Sequence, residues 1–499
     1  MDLSTWIERW AAFAPDRSAI ICDGEALSYA ALDAMIGRMA GGLRARAGVG
    51  RGDRVAFLGA NCPEMIALTF ACARLGAMVV PLNWRLAPPE HGYILDHCGA
   101  GVLVCEPDFM AVGEAVAESV AGSVADLRLL STAPDGGLFA DTPDTTRTLH
   151  VDGATPLLVV YTSGTTGKPK GAVLSQDALL WNAVNSTHMH DLTSADRVLT
   201  TAPLFHVGGL NIQTLPALHA GATILLHRRF DAGAVLAAIA ADAPTLAVLV
   251  PTQIQAMVDQ PNWTKTNLAS LRMVTTGSTI VPLAVIDAFH ARDIPVVQVY
   301  GSTETAPIAA YLRADQARDH VGSTGLPALH CDLRIVDEDG APVEAGGRGE
   351  IQVRGPNVMV EYWADAPATE AAFADGWFKS GDIGHLDENG FLFVDDRLKD
   401  VIISGGENIY SAELEVVLDQ DPRITEAAVI GRAEERWGEV PVAIVVAADP
   451  ALDAGAVLAL FENRLARFKH PKDVIFCQSL PRNAMGKIEK FTLREKYGA

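Results

Sequence analysis

Residues 161–171, YTSGTTGKPKG, are the segment of the chain richest in groups that bind anions. The segment follows an apolar run that predicts a β-strand, and it contains three glycines, four Ser/Thr hydroxyls and two lysines. Glycines allow tight turns that bring backbone N–H groups toward an anion, and the side chains add further donors. A Walker A loop needs Gly-Lys-Ser/Thr leading into a helix, whereas here Pro169 follows Lys168 and disfavours one. A P-loop is therefore a poor fit, and taken alone the segment is either an anion-binding loop of a different type or a flexible, polar surface loop.

The loop closely resembles the signature loop of the adenylate-forming superfamily, which includes acyl-CoA synthetases, luciferases and peptide-synthetase adenylation domains. The family's other motifs follow in order, so the resemblance covers about Leu27 to Lys490. It implies ATP, Mg²⁺ and coenzyme A as cofactors, with the loop closing over the β- and γ-phosphates of ATP. The loop residues expected at the nucleotide are Thr162, Ser163, Gly164, Thr165, Thr166, Gly167 and Lys168.

The string YGSTE at 300–304 follows a predicted strand, where α/β folds place ligands. The resemblance implies that Tyr300 lies against adenine, that Thr303 touches the α-phosphate, and that Glu304 holds Mg²⁺ together with Thr162. A carboxylate is a hard ligand that suits Mg²⁺ bound to phosphates. It also implies a ribose-binding aspartate, Asp382, because one carboxylate accepts bonds from two hydroxyls. The remaining residues implied at the nucleotide are Gly277, Ser278, Gly301 and Ser302.

Two motifs near the chain's end resemble the family's hinge and its catalytic lysine. In RLKD at 397–400, Arg397 is implied to reach the ribose or phosphates, and Lys399 to change its backbone angles as the C-terminal domain turns. In the other, at 481–488, Lys487 is implied to bridge the substrate carboxylate and the α-phosphate, where its charge stabilises the transition state. The residues implied along the pantetheine tunnel of coenzyme A are Gly405, Gly406 and Trp437. A basic cluster that we expect to meet the phosphates of coenzyme A comprises Arg464, Arg467, Lys469 and Lys472.

The string PLFHVGG at 203–209 resembles the substrate side of the family's site. The residues implied beside the acid are His206, Val207, Gly209, Gly277 and Gly301. The segments implied to wall the pocket (205–213, 250–257 and 275–280) contain no Arg or Lys, which disfavours a buried second carboxylate. We expect a monocarboxylic acid with an uncharged tail. A fatty acid is slightly favoured, and a hydroxycinnamate such as ferulate stays open.

Apolar strand patterns alternate with helical patterns over most of the chain, which predicts an α/β fold with mostly parallel, stacked sheets. Short strands separated by Gly- and Pro-containing turns predict a β-rich subdomain at about 330–396. We expect residues 1–396 to form the N-terminal AMP-binding domain. Residues 397–499 would then form a small mobile α+β domain, with the hinge near Lys399. Predicted elements include strands at 55–58, 157–162 and 296–300 and helices at 63–74, 411–418 and 456–468.

The amino-acid composition limits the classes of partner that this protein is expected to bind. The formal net charge of -22 and the lack of a basic run argue against nucleic-acid binding. Seven scattered cysteines and an N-terminus without a basic, apolar leader indicate reduced thiols and a cytoplasmic protein without a membrane span. We therefore expect an ATP-dependent acid–CoA ligase acting on a small carboxylic acid; homodimers are common in this family. Rival functions are a stand-alone adenylation enzyme for a carrier protein, a luciferase-like oxygenase and a non-enzymatic nucleotide sensor.

Overall fold

The structure is a computed structural model that describes residues 2–124, 126–162, 169–277, 281–404, 407–434, 437–462, 464–465, 467–483 and 486–498. The chain divides into two compact units. Unit 1 comprises residues 1–333, 352–379 and 390–392, and unit 2 comprises residues 334–351, 380–389 and 393–499. Unit 2 therefore takes in segments that we predicted within an N-terminal domain ending at 396. The boundary at 396/397 stays a prediction.

The strands of the chain, in order, are as follows. They are β1 (Ser18–Cys22), β2 (Glu25–Ser28), β3 (Arg54–Leu58), β4 (Met78–Leu82), β5 (Val102–Cys105), β6 (Arg128–Ser131), β7 (Pro156–Thr162), β8 (Lys170–Ser175), β9 (Arg197–Thr200), β10 (Thr223–Leu226), β11 (Leu246–Val248), β12 (Met273–Gly277), β13 (Val296–Tyr300), β14 (Ala310–Tyr311), β15 (Leu326–Pro327), β16 (Asp332–Val336), β17 (Gly349–Arg354), β18 (Glu361–Tyr362), β19 (Phe373–Ala374), β20 (Trp377–Leu386), β21 (Leu392–Arg397), β22 (Ile402–Ser404), β23 (Glu407–Ile409), β24 (Ile424–Glu434), β25 (Gly438–Ala447) and β26 (Asp473–Phe476).

The α-helices follow the same order. They are α1 (Thr5–Phe13), α2 (Tyr29–Ala47), α3 (Pro63–Leu75), α4 (Pro88–Cys98), α5 (Met110–Val120), α6 (Gln176–His190), α7 (Val207–Gly209), α8 (Leu215–Ala220), α9 (Ala232–Asp242), α10 (Pro251–Val258), α11 (Leu283–His290), α12 (Ala366–Ala372), α13 (Ser411–Asp419), α14 (Ala454–Ala459) and α15 (Lys490–Tyr497). One π-helix, Leu210–Thr214, joins α7 to α8. None of the helices in the described part of the chain has the length and apolar character needed to cross a membrane.

Two mostly parallel sheets build unit 1. The nine-stranded sheet has the order β15-β14-β13-β12-β11-β9-β10-β1-β2, and its pairs from β1 through β10, β9, β11 and β12 to β13 are parallel. The seven-stranded sheet has the order β18-β8-β7-β4-β3-β5-β6, with β7 to β6 parallel and β8 and β18 antiparallel at one edge. The α/β class with mostly parallel sheets is confirmed.

Local sequence explains why the helices begin and end where they do. The Ser28 hydroxyl accepts a hydrogen bond from Ala31 N at the start of α2, and Gly48 adopts φ 69° after its last residue. Ser175 caps α6 in the same way by accepting from Ala178 N. A serine at the N-cap and a glycine in the left-handed region satisfy backbone groups that the helix leaves unpaired.

Unit 2 contains a mostly antiparallel sheet with the order β23-β22-β25-β24, and β26 adds to β25 in parallel. Apolar residues cover both faces. Leu414, Leu418 and Phe461 belong to the cluster on one face, and Leu480 and Leu493 to the other. The helix predicted over 456–468 is wrong in extent, because α14 covers Ala454–Ala459 and a 3₁₀ turn forms only at Arg467–Lys469.

Candidate functional site

Strands β7 and β8 flank the predicted phosphate loop as an antiparallel pair. Thr162 lies opposite Lys170 in the ladder, and its hydroxyl donates weakly to the Lys170 carbonyl at 3.5 Å. Tyr93 donates to the carbonyl of Pro169 at 3.2 Å, which fixes the point where the loop returns to β8. The other predicted loop residues, Ser163, Gly164, Thr165, Thr166, Gly167 and Lys168, lie outside the described residues.

Glu304 lies in a 3₁₀ turn, Thr303–Thr305, directly after β13. The turn begins at Ser302, whose backbone N donates to the Thr305 hydroxyl at 2.9 Å. Position 301 requires glycine, since its φ is +156° and a Cβ added to Gly301 would lie 1.8 Å from the Pro307 carbonyl oxygen. This packing requirement is separate from the ligand contact that we predicted for Gly301.

Tyr362, on the edge strand β18, contacts the Glu304 carboxylate. Its hydroxyl donates to Glu304 Oε1 at 2.8 Å, and burial followed by the charge of Glu304 raises the pKa of Tyr362. The hydroxyl therefore stays protonated and acts as a donor. The Lys170 ammonium lies 5.4 Å from the centre of the Tyr362 ring, a cation–π distance. Tyr362 thus connects Glu304 to the strand that follows the phosphate loop.

Sequence reasoning missed Tyr362, and it also missed Asn357. The Asn357 side chain is fully buried and donates to the carbonyls of Thr305 at 2.6 Å and Ile308 at 2.8 Å. These bonds hold the turn that carries Glu304. Neither residue belongs to a glycine-containing motif, and each acts across more than 45 residues of chain, so no local pattern marks them.

The turn that leads to His206 is braced by Asn61, a further residue that the sequence did not mark. Asn61 donates to the carbonyls of Ala202 and His227 and accepts from Leu204 N at 2.8 Å. His206 Nδ1 accepts from Gly208 N at 3.0 Å, so the ring is oriented by its own turn.

The glycines of this region are required by close backbone packing. A Cβ on Gly209 would lie 2.2 Å from the Pro203 carbonyl oxygen. At Gly277, which ends β12, a Cβ would lie 2.5 Å from the carbonyl oxygen of Val299. Val207 is buried beside this turn. Ser278 lies outside the described residues.

The π-helix 210–214 borders a small, tightly packed cleft. The residues that line the cleft are Leu199, Thr200, Thr201, Ala202, Gly209, Gln213, Thr214 and Val248. Buried polar atoms without a hydrogen-bond partner among the described residues include those of Thr201, Asn211, Gln213, Thr276 and Ser302. Such atoms are costly in a folded protein and often mark a place where a ligand supplies the missing partner.

Unit 2 brings three predicted residues into one electrostatic cluster. Arg397 Nε lies 2.7 Å from Asp382 Oδ1, and the Asp382 backbone is set by the Ser380 hydroxyl, which accepts from Asp382 N at 3.0 Å. Burial lowers the pKa of Lys487, the charge of Arg397 lowers it further, and Asp382 opposes both. A lysine with a lowered pKa and a nearby carboxylate is the type of group found at functional sites.

A short turn holds the Lys487 backbone. Lys487 N donates to Asn483 Oδ1 at 3.0 Å, and the Lys487 carbonyl accepts from Asn483 N at 2.9 Å. Gly486 adopts φ +81°, in the left-handed region that favours glycine. The same turn accepts a bond from Arg482 Nη1 at the Gly486 carbonyl, at 2.6 Å.

The residues predicted for coenzyme A are only partly described. Gly405 and Gly406 lie outside the described residues, as does the side chain of Lys399, whose backbone is in a 3₁₀ turn, Leu398–Asp400. Trp437 is 45% exposed. Lys469 contacts both carboxylate oxygens of Glu413, at 2.9 and 2.7 Å, so its charge is offset locally. The role of the basic cluster stays a prediction.

Comparison with known proteins decides the family. The sequence profile described as AMP-binding enzyme matches residues 7–363, and that of the AMP-binding enzyme C-terminal domain matches residues 413–487. The chain belongs to the AMP-binding enzyme family.

Relatives of this AMP-binding enzyme match it over almost its whole length. It is 53% identical to the indoleacetate–CoA ligase of Aromatoleum aromaticum, with 99% of this chain and 98% of that protein covered. It is 44% identical to a feruloyl-CoA synthase of Amycolatopsis, with 99% of each covered. The solved o-succinylbenzoate–CoA synthetase of Bacillus subtilis, in complex with its acyl-adenylate intermediate, matches with a TM-score of 0.89 at 34% identity, covering 98% of this chain and 97% of that one.

The AMP-binding enzyme is accordingly an AMP-forming acid–thiol ligase that uses ATP, Mg²⁺ and coenzyme A. The described residues fit a metal ion that is bound largely through the nucleotide. They contain no group of three or more His, Cys, Asp or Glu arranged around one ion. Glu304 is 9% exposed and its Oε1 is engaged by Tyr362, which leaves one hard oxygen ligand for Mg²⁺ carried by phosphates.

Proposed function

We propose that this ligase activates an aromatic monocarboxylic acid as its acyl-adenylate and transfers the acyl group to coenzyme A. The identities of 53% and 44% to ligases named for indoleacetate and ferulate support an aromatic tail over the fatty acid that the sequence slightly favoured. The observation that carries the proposal is that two residues lining the cleft beside His206, Thr201 and Gln213, hold buried polar atoms without a hydrogen-bond partner among the described residues. A plain alkyl chain offers nothing to the buried polar atoms of Thr201 and Gln213.

The first half-reaction forms a mixed anhydride. A carboxylate oxygen attacks the α-phosphorus of ATP, the bond to the bridging oxygen of the β-phosphate breaks, and pyrophosphate leaves. In our proposal Lys487 covers the developing charge, and Asp382 with Arg397 holds the ribose. Glu304 and Thr162 hold Mg²⁺, which offsets the negative charge of the phosphates when bound.

The second half-reaction consumes the adenylate. The thiol of coenzyme A releases its proton to solvent, its sulfur attacks the acyl carbon, the bond from that carbon to the AMP oxygen breaks, and AMP leaves. We assign His206 to the boundary of the acyl pocket, because its turn directly precedes the π-helix that lines the cleft.

The test is a comparison of kcat/KM for CoA-thioester formation with indole-3-acetate, ferulate, decanoate and malonate. We expect the two aromatic acids to exceed decanoate by at least about tenfold, and malonate to be inert because no cation offsets a second carboxylate in the predicted pocket walls. Decanoate equal to or better than both aromatic acids would contradict the proposal and restore the fatty-acid alternative.

A further inference from the structure

Gln213 carries an acceptor that has no partner. The residue lies in the π-helix 210–214, lines the small cleft together with Gly209 and Val248, and is 1% exposed. Its Oε1 makes no hydrogen bond among the described residues. Leaving such an atom unpaired costs about 1–3 kcal/mol. π-helical segments of this kind are frequent at functional sites.

The hydrogen-bond directions around Gln213 depend on which ring nitrogen of His190 carries the proton. His190 is fully buried. Burial lowers the pKa of His190 to about 4, so the ring is neutral near pH 7. His190 Nδ1 lies 2.8 Å from the Ser186 carbonyl oxygen, which only accepts, so Nδ1 carries the ring proton. The Ser186 hydroxyl donates its own proton to the Ile212 carbonyl at 2.6 Å, so it does not donate to His190. His190 Nε2 is therefore an acceptor.

This assignment fixes the direction of the next two bonds. Thr275 Oγ1 lies 2.9 Å from His190 Nε2, so the Thr275 hydroxyl donates its single proton there. Thr275 Oγ1 can then only accept, and it does so from Gln213 Nε2 at 3.1 Å. The Gln213 amide cannot flip without placing two acceptors against each other. The group left without a partner is thus always a carbonyl oxygen, never an NH₂.

We propose that Gln213 Oε1 accepts a hydrogen bond from an uncharged N–H or O–H group on the tail of the acid, which makes Gln213 a specificity-determining residue. The inference rests on the proposed function and narrows it to acids with a donor on the ring, such as an indole N–H or a phenol O–H. An acceptor of fixed orientation penalises tails that lack a donor, because the carbonyl oxygen then stays buried and unpaired. It also repels a second carboxylate.

The first test needs no variant. Indole-3-acetate and 1-benzothiophene-3-acetate have nearly the same shape, but sulfur replaces the N–H in the second acid. We expect kcat/KM for thioester formation to be about tenfold or more higher for the indole. Equal values would overturn the inference while leaving the ligase assignment intact. No thioester from either acid would contradict the proposed function, and the inference with it.

The second test uses Gln213→Met, which keeps the side chain's length and removes the acceptor. The ratio between the two acids should collapse toward one, mainly through loss of activity on the indole. The matched control is Gln176→Met. Gln176 is also fully buried, but its amide accepts from Leu3 N and donates to the Ala73 carbonyl, away from the cleft. Gln176→Met should retain the wild-type ratio, and thermal denaturation of both variants checks that they fold. A Gln213→Met enzyme that folds and keeps the wild-type ratio would overturn the inference.

Discussion

The Tyr362 hydroxyl donates a 2.8 Å hydrogen bond to the Glu304 carboxylate, joining an edge strand of one sheet of unit 1 to the turn that ends a strand of the other. The bond engages one carboxylate oxygen of Glu304, the residue that in the proposed function binds Mg²⁺. A hydroxyl bound to a charged carboxylate contributes about 1.5–3 kcal/mol.

Replacement of this hydroxyl should weaken adenylation. In Tyr362→Phe we expect the rate of pyrophosphate release to fall about tenfold and the Mg²⁺ concentration for half-maximal rate to rise, since Glu304 loses its positioning partner. The matched control is Tyr29→Phe, which deletes a buried hydroxyl bonded to the Ala222 carbonyl at 2.7 Å. If both variants show the wild-type Mg²⁺ dependence, Tyr362 does not position Glu304.

Removal of the Asp382 charge should move the alkaline limb of the pH–rate profile of adenylation. In its proposed role Lys487 supplies positive charge only while protonated, so adenylation should fall as pH rises through its pKa, which burial holds below the ordinary 10.5. Asp382 raises that pKa, so Asp382→Asn should lower it and shift the limb to lower pH by about half a unit or more. The control is Asp473→Asn, which breaks a different Asp–Arg pair of unit 2, with Arg432 at 2.8 Å. A limb unmoved by Asp382→Asn would contradict the electrostatic coupling.

Replacing Lys487 should slow the first half-reaction much more than the second. We expect Lys487→Ala to lower adenylation by a factor of about 10² or more, because it deletes a positioned charge at the transition state. Thioester formation from supplied acyl-adenylate should stay within about threefold of wild type. Lys496→Ala, in α15, serves as the control. Equal loss of both half-reactions would refute the proposed role.

Acid should destabilise the fold through His190. Its folded pKa of about 4 lies below the ordinary 6.5, so the unfolded chain binds more protons between those values and the free energy of unfolding falls as pH falls. From pH 7.5 to 5 this group alone removes about 2 kcal/mol. His190→Gln can still accept from Thr275, and its Tm should fall less than that of wild type over this range. His150→Gln, an exposed control, should behave as wild type; if His190→Gln does so too, the assignment of a neutral His190 is wrong.

The strands β7 and β13, and the turns that follow them, could be predicted from apolar runs that end in glycine-containing strings. The roles of Glu304 and of the segment after β7 at the nucleotide were implied by the family resemblance and stay predictions. Unit 2 was harder. The grouping of Asp382 with Arg397 and Lys487 depends on contacts across the chain, and only the family resemblance indicated it.

The hydrogen bonds of Tyr362 and Gln213 were not predictable. Tyr362 reaches Glu304 over 58 positions and Gln213 reaches Thr275 over 62, and neither stands in a pattern with a period or a turn signal. The close packing at Gly209 was not predicted either, since the sequence gives no sign that the Pro203 carbonyl oxygen would lie 2.2 Å from an added Cβ. The helix expected over 456–468 failed because an apolar, Arg-containing stretch satisfies helical spacing without forming one continuous helix.

Pyrophosphate release by the wild-type enzyme, with Mg·ATP and indole-3-acetate in the presence and absence of coenzyme A, tests the central claim most directly. We predict sustained release only with coenzyme A, accompanied by one AMP and one thioester for each pyrophosphate. Sustained release that coenzyme A does not stimulate would point to another acceptor, such as a carrier protein. No release with this or any aromatic acid would contradict the account.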